Sequence, residues 1–534
     1  MKKIDYIIIG AGTAGCVLAN RLSENPEINV VILEAGGPDK KLEIKVPGGY
    51  GKLHRSQVDW GFSTEPQAHI NNRKLYLPRG KTLGGSSSTN AMAYVRGNAK
   101  DYDEWAALGN NGWSYDDVLP YFKKSEHNAD IKNDYHNQGG PVHIGFAKYF
   151  RPPFASGFVQ ACQESLGLPQ NDDYNGVDQV GTGFFQFNIK NGKRWSMADA
   201  FLKPALQRQN LTVITHAQVT SLIIKDDKVI GVNYRHKNKE SIEAVYCDKE
   251  VILSAGSFQS PQILMLSGIG DKEELQYHDI ESKIHLPGVG KNLQDHLFYF
   301  VSSLASDQLG VNHHLKPLNQ ALGMAQWAFT HGGPLSISPL EAFAFYKVLH
   351  AEEVNMQFHF TPLQIASNKD ADPYDLATFP TIDGFTILPS LLKPKSVGFI
   401  RLRSNNPMDY PIIQPNFLSH EDDLATLVKG GQDAIKVLQS DSLQKYTKNI
   451  IAPSDWSEEG IIRHIKDTVE TIYHPVGTCK MGHDEMSVVN ENLSVRNIRG
   501  LRIVDASIMP RIVAGNTNAP VMMIAEKAAD LIIE

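Results

Sequence analysis

The sequence predicts an α/β chain, α+β overall, made of more than one domain. Three observations lead there. At 534 residues the chain is too long for one simple core, and two or three domains are expected. Residues 4–34 read as strand, glycine-rich turn, helix and strand. Much further on, EAFAFYKV (341–348) and NMQFHFTP (355–362) alternate their side chains with the period of strands.

The N-terminal unit is the most explicit. IDYIIIG is a nearly continuous apolar run rich in β-branched residues, which suits a buried parallel strand. It runs into Gly10-Ala11-Gly12-Thr13-Ala14-Gly15, then into CVLANRLSE with helical spacing, then into a second strand, INVVILE, ending at Glu34. Gly10 permits a tight turn, Gly12 lets the backbone approach a pyrophosphate, and Gly15 lets helix and strand pack closely. Glu34, nineteen residues past Gly15, stands where an acid accepts ribose hydroxyls. The unit therefore predicts dinucleotide binding. An acid at that strand end disfavours a 2′-phosphate, so NADP is the poorest candidate, while NAD and FAD both remain open.

Composition sets the outer limits. The chain is 42% apolar and 21% charged with a net charge of −7, and it has no long basic run, which argues against a nucleic-acid partner. Cys16, Cys162, Cys247 and Cys479 lie far apart with no Cys-x-x-Cys, so neither a disulfide framework nor a metal site is expected. The opening MKKIDYIIIG puts two lysines before an apolar run, as a signal peptide would, but Asp5 interrupts it. No stretch reaches the ~18–20 apolar residues of a transmembrane segment. The expected location is cytoplasmic, with loose attachment to a membrane surface left open.

Three further segments carry chemistry. RGKTLGGSSSTNAMAYVRG (79–97) makes a poor helix or strand but a good loop whose N–H groups and hydroxyls meet a polar ligand. GSFQSPQILMLSGIG (256–270) is a small-residue turn, an apolar helix and a glycine-rich exit. In TIYHPVGTCKMG (471–482), Pro475 holds His474 in extended or turn backbone.

Together with the N-terminal unit and the C-terminal LRIVDASIMPRIVAGNTNAPVMMIAEKAADLI, these segments closely resemble the glucose–methanol–choline (GMC) family of FAD-dependent oxidoreductases, over essentially the whole chain. Within it the chain looks most like the bacterial choline-dehydrogenase-like alcohol dehydrogenases. The resemblance implies FAD as cofactor. Gly10, Gly12, Gly15 and Glu34 would hold its adenosine-pyrophosphate, Arg79, Gly84, Gly85, Asn90 and Ala91 would line the flavin side, Val219 would meet the adenine, and Asp505 and Ala506 would close over the pyrophosphate and ribityl chain. Some oxidases of the family link a histidine of the serine-rich loop to the flavin; Thr89 stands at that position, so non-covalent FAD is expected.

The resemblance also assigns the chemistry. His474 would be the general base for oxidation of a primary alcohol to the aldehyde, with hydride passing to flavin N5. A neutral imidazole has the pKa and geometry for that proton. Asn516, in NTNAP, would hydrogen-bond the substrate oxygen. Electrons would pass to a quinone or other acceptor. The alternatives are an oxidase that reduces O2 to H2O2, a FAD-containing cyanohydrin lyase, a FAD-binding protein without catalysis and, from the first motif alone, an NAD enzyme. Cys479 lacks a recognisable base and is taken as a packing residue. Ile472 and Tyr473 would wall the substrate pocket. Glu341 matches a position where choline-active relatives carry a carboxylate, and either faces the flavin or lies on the wet face of a strand.

By the same resemblance the two domains interleave. Residues 1–157, 203–298 and 475–534 would form the Rossmann-like FAD-binding domain. Residues 158–202 and 299–474 would form a substrate domain built on an antiparallel sheet with covering helices.

Overall fold

A computed structural model describes residues 3–239, 241–366 and 370–533. Two sheets organise it. The first is parallel, in the order Leu211–Thr215, Val30–Glu34, Tyr6–Ile9, Glu250–Leu253, Leu501–Ile503. Tyr6–Ile9 and Val30–Glu34 are buried along their length, which explains the unbroken apolar runs in the sequence: the helix Thr13–Leu22 packs on the sheet, and so do the antiparallel strands Ala217–Lys225 and Lys228–His236. The helix Thr13–Leu22 follows the first strand, and the C-terminal helix Asn518–Ile533 packs along it.

The second sheet is antiparallel and has eight strands, six of them in the order Thr447–Ala452, Val301–Ala305, Gly384–Leu391, Met356–Thr361, Ala342–Tyr346, Gly181–Phe184, with the short strands Leu297–Phe298 and Glu470–Thr471 completing it. The predicted alternation becomes two faces. Met356, Phe358 and Phe360 join the core under the helices Pro153–Leu166 and Glu421–Leu438. Their neighbours His359 and Thr361, with Thr386 and Leu388 on the next strand, face the cavity described below.

The parallel sheet draws its strands from residues 6–34, 211–215, 250–253 and 501–503, and the antiparallel sheet from 181–184 and 297–471. A cut at 157 would pass through the helix Pro153–Leu166, whose Phe154, Ala155 and Phe158 share one core with the antiparallel sheet. A cut at 202 would split a continuous helical stretch whose Ala198–Leu202 part packs on Thr13–Leu22. Ile400, Leu402 and Ile413, placed in the substrate segment, pack into the core of the parallel sheet.

All four cysteines are buried and unpaired. Among the described residues no helix is long and apolar enough to cross a membrane.

The glycine turn shows its constraint directly. A Cβ on Gly15 would lie 1.9 Å from the carbonyl oxygen of Gly10, itself at φ +96°. Gly15→Ala is expected to push helix and strand apart at a cost on the order of 3 kcal/mol, seen as a lowered thermal midpoint and loss of cofactor together.

Candidate active site

One cavity of about 390 Å³ lies where the parallel sheet's carboxyl ends meet the inner face of the antiparallel sheet. At one end it is built from backbone. Gly10, Gly12, Gly85, Val219, Gly256 and Ala506 line it, and a Cβ on Gly12 or Gly256 would touch no protein atom within 4 Å. That open cradle beside the N-terminus of Thr13–Leu22 is what a pyrophosphate needs. The serine-rich loop is pinned over it: Gly84, at φ +87°, donates its N–H to the Ala11 carbonyl at 2.7 Å, and a Cβ on Gly85 would lie 2.7 Å from the Gly12 Cα.

The acids that line the cavity are already engaged by the protein. Glu34 accepts from the N–H groups of Ala11 (2.9 Å) and Gly36 (2.8 Å), and burial pushes its carboxyl up to about 7. Asp505 accepts from Gly256 N–H (2.9 Å), the Ser260 hydroxyl (2.5 Å) and Ser507 N–H (2.8 Å), tying the C-terminal segment to the helix Gly256–Leu266. Asp59 accepts from the N–H groups of Arg55, Gly61 and Arg79. Asn90 is held by Arg194, whose Nη1 donates to its Oδ1 at 2.9 Å. Ala91 and Thr89 also line the wall.

At the other end the cavity is apolar, with Phe298, Phe300, Leu340, Leu363, Leu388 and Ile472 in its wall. His474 and Asn516 stand there together, as the sequence implied: Asn516 Nδ2 lies 3.2 Å from His474 Nε2. Tyr473 lines the same wall, held at φ +66°, a conformation that strains a bulky residue. Its carbonyl accepts from Arg79 Nη2 at 2.5 Å and its N–H donates to the Thr471 hydroxyl at 2.8 Å, which keeps it there.

Two residues that the sequence motifs did not single out control His474. The pairing of Leu297–Phe298 with Glu470–Thr471, continued by a bridge from Gln294 to Val476, sets Asp295 and His296 against the base. Asp295 Oδ1 accepts the His474 N–H at 2.7 Å, while its Oδ2 accepts from the Thr471 hydroxyl at 2.5 Å. His296, fully buried, has Nε2 3.0 Å from the Leu392 carbonyl and Nδ1 3.0 Å from His474 Nδ1.

That row of contacts admits one arrangement of protons. A carbonyl only accepts, so His296 Nε2 carries hydrogen and, in the neutral ring, Nδ1 must accept. His474 Nδ1 therefore donates, and its Nε2 is left as a bare lone pair in the cavity. Asn516 must then turn its NH2 toward that nitrogen, which fixes the amide orientation. Burial holds both rings neutral: it takes His296 down to about 3, and it takes His474 well below the usual histidine range, helped by the neighbouring His296, His359 and Arg79.

A third histidine faces the cavity. His359 Nδ1 lies 3.1 Å from Ser390 Oγ, whose own hydrogen goes to the Leu388 carbonyl, so the ring donates at Nδ1. Its Nε2 is buried without a partner, as is Asn516 Oδ1. The alternating strand NMQFHFTP was the available signal for His359. The only signal for Asp295-His296 was an Asp-His pair in an otherwise plain stretch.

Glu341 lies neither on a wet face nor on the cavity wall. It is buried just before Ala342–Tyr346 with both carboxyl oxygens unpartnered, and burial pushes it up to about 8, against the opposing pull of Arg151. Gly15 and Gly84 act through packing and do not line the cavity. Cys479 is fully buried, with its thiol raised well above the ordinary range by burial, as a packing residue would be.

A dinucleotide cradle opening onto a buried neutral histidine defines a cofactor-dependent enzyme of proton-coupled chemistry. Comparison with known proteins gives the family. GMC oxidoreductase models match residues 4–298 and 394–525, and the chain belongs to that family. It is 43% identical to the alcohol dehydrogenase [acceptor] of Pseudomonas putida, over 99% of this chain and 95% of that one. It is 38% identical to the oxygen-dependent choline dehydrogenase of Brucella anthropi, again over 99% and 95%. Among solved structures, pyridoxine 4-oxidase from Mesorbium loti superposes with a TM-score of 0.89 at 29% identity, covering 99% of both chains. Formate oxidase of Aspergillus oryzae superposes at 0.91 with 26% identity, over 99% of this chain and 98% of that one. The chain is an oxidoreductase acting on CH–OH donors, and its cofactor is FAD.

The row of histidines makes a sharp test. His296→Leu removes the acceptor for His474 Nδ1–H and frees the ring to adopt the wrong tautomer. Flavin reduction is expected to slow by at least ~10-fold with FAD still bound, and His296→Gln, which can still accept, to recover part of the rate. Unchanged reduction in His296→Leu would refute the assignment.

Proposed function

We propose that the protein oxidises an uncharged, largely apolar primary alcohol to the aldehyde, with His474 as general base. The observation that carries this is the unprotonated Nε2 of His474, which accepts from the Asn516 amide at the wall of an apolar chamber. The substrate hydroxyl takes the place of the Asn516 NH2 at Nε2 and gives its proton there, while that NH2 turns to hold the same oxygen in line. His359 Nε2 offers a second acceptor on the sheet side. Bound FAD supplies the two-electron acceptor for the hydride that leaves the carbinol carbon. The protein's part is to exclude water, fix the donor carbon's position with Phe298, Phe300, Leu388 and Ile472, and take the proton.

A cationic alcohol such as choline fits less well. The three acids that line the cavity are tied up by N–H groups, and Glu341 stands off the wall with its carboxyl held mostly neutral at pH 7. For the electron acceptor, the likeness to an alcohol dehydrogenase [acceptor] supports a quinone or other carrier rather than O2. Thr89 on the cavity wall has no imidazole for the histidine–flavin link, which supports non-covalent FAD.

Mixing the yellow protein anaerobically with alkanols, benzylic alcohols, a polyol and choline is expected to bleach the flavin with the uncharged alcohols first, and admitting air should restore the colour only slowly. His474→Ala should slow that bleaching ~10²–10⁴-fold. Because the base works only unprotonated and burial depresses its pKa, the rate should stay flat through neutrality and fall only on acidification well below 6.5. Bleaching by choline alone would overturn the substrate assignment. Acid precipitation is expected to leave a colourless pellet and a yellow supernatant; a yellow pellet would show a covalent link.

A further inference from the structure

The helix Pro317–Thr330, PLNQALGMAQWAFT, carries no charged residue. Its inner side is anchored by Trp327, whose Nε1 donates to the Gly192 carbonyl at 2.8 Å. Its outer side is apolar and bare: Leu318, Leu322 and Phe329 are 71%, 60% and 90% exposed. With exposed Ala325 between them they follow the spacing of four, three and four that makes a single stripe along a helix. A stripe of large apolar side chains with such exposure marks a binding surface rather than ordinary surface scatter.

The charge around this stripe indicates what it meets. The protein has 59 acidic residues against 52 Lys and Arg, yet the chain carries no acid at all from Gln308 to Leu340. Two other segments border the helix. The turn at Gly192 abuts His331 at its C-terminal end, and the segment at Tyr149 and Phe150 runs from Gly332 to His314. These segments are acid-free too, from Gln179 to Ala198 and from Tyr135 to Gln163. They bring Lys148, Arg151 and Lys190 to the rim, all exposed, and Lys316 is exposed at the helix N-terminus. Of the acids outside these segments, Asp130 pairs with Lys148, Asp383 is buried beneath His313, and the buried Glu341 lies within reach of the Arg151 charge.

We propose that this face docks the protein on an anionic lipid surface, the helix lying in the interface with Leu322 and Phe329 inserted and the basic rim on the headgroups. A second copy of the chain is a poorer partner, since a two-fold contact would set one basic rim against another. The face also adjoins the substrate cavity. Leu335 packs between Gly323 of the helix and Gly48, in the turn Pro47–Lys52 whose Tyr50 lines the cavity. An apolar alcohol or acceptor dissolved in the bilayer would meet the protein beside its entrance. The docking itself does not depend on which alcohol is oxidised.

The test uses FAD-loaded enzyme sedimented with vesicles of equimolar phosphatidylcholine and phosphatidylglycerol, with pure phosphatidylcholine vesicles as reference. The wild type is expected to sediment with the anionic vesicles, less so at high salt, and only weakly with the neutral ones. The exposed pair Leu322→Glu/Phe329→Glu should lose at least ~10-fold in vesicle affinity while keeping its rate with a soluble acceptor. Lys316→Glu should weaken binding to anionic vesicles only. No sedimentation of the wild type, or equal sedimentation of the double variant, would overturn the proposal. So would a wild-type dimer in analytical ultracentrifugation that the double variant loses without any vesicle binding, which would give the face to a second copy.

Discussion

The site depends on one atom that cannot give a proton. The Leu392 carbonyl accepts from His296 Nε2, so His296 must accept from His474 Nδ1, and His474 must present Nε2 bare to the cavity. Each step is a matter of donor and acceptor count, and none needs an external charge to enforce it. The base is thereby pre-set in its working tautomer without a carboxylate at the ring. The usual alternative, an acid on Nδ1, would stabilise the protonated imidazole and raise its pKa; a neutral histidine keeps it low.

The backbone makes that row possible. The short antiparallel pairing of residues 294–298 with 470–476, at the antiparallel sheet, places Asp295 and His296 beside His474. Asp295 holds the backbone N–H, and His296 holds the ring, so both position and rotation of the base are fixed. Tyr473 turns through positive φ immediately before it, and the Arg79 and Thr471 bonds keep that strained turn in place. Residues 79, 295–296 and 471–474 therefore act as one assembly, although they come from three distant parts of the chain.

The rest of the cavity divides its labour by polarity. Its cofactor end presents glycine backbone and consumes its own carboxylates in N–H bonds, leaving room and positive helix ends for a pyrophosphate. Its reaction end is mostly apolar, with His474, Asn516, His359 and the hydroxyls of Thr361 and Thr386 among aromatic and aliphatic walls. In such surroundings a proton acceptor is discriminating and a stray cation is unwelcome.

The sequence by itself determined the dinucleotide unit, because its requirements are local: Gly10, Gly12 and Gly15 answer to a turn, an open approach and a close packing that lie within a few residues of one another. It also carried His474 and Asn516, through motifs long enough to resemble a family. Tertiary structure alone decided the remainder. Asp295 and His296 had no signature, since their role exists only where a distant strand pairs with Glu470–Thr471. His359 was legible as strand but not as cavity lining, because period two gives two faces without saying which is which. Glu341 showed as an acid near a strand, and only packing could reveal that it stands off the cavity wall, buried and unpartnered. Core membership is settled in the same way: Phe154 and Phe158 pack with the antiparallel sheet while Ile400 and Ile413 pack with the parallel one, and long-range packing, not local pattern, assigns them.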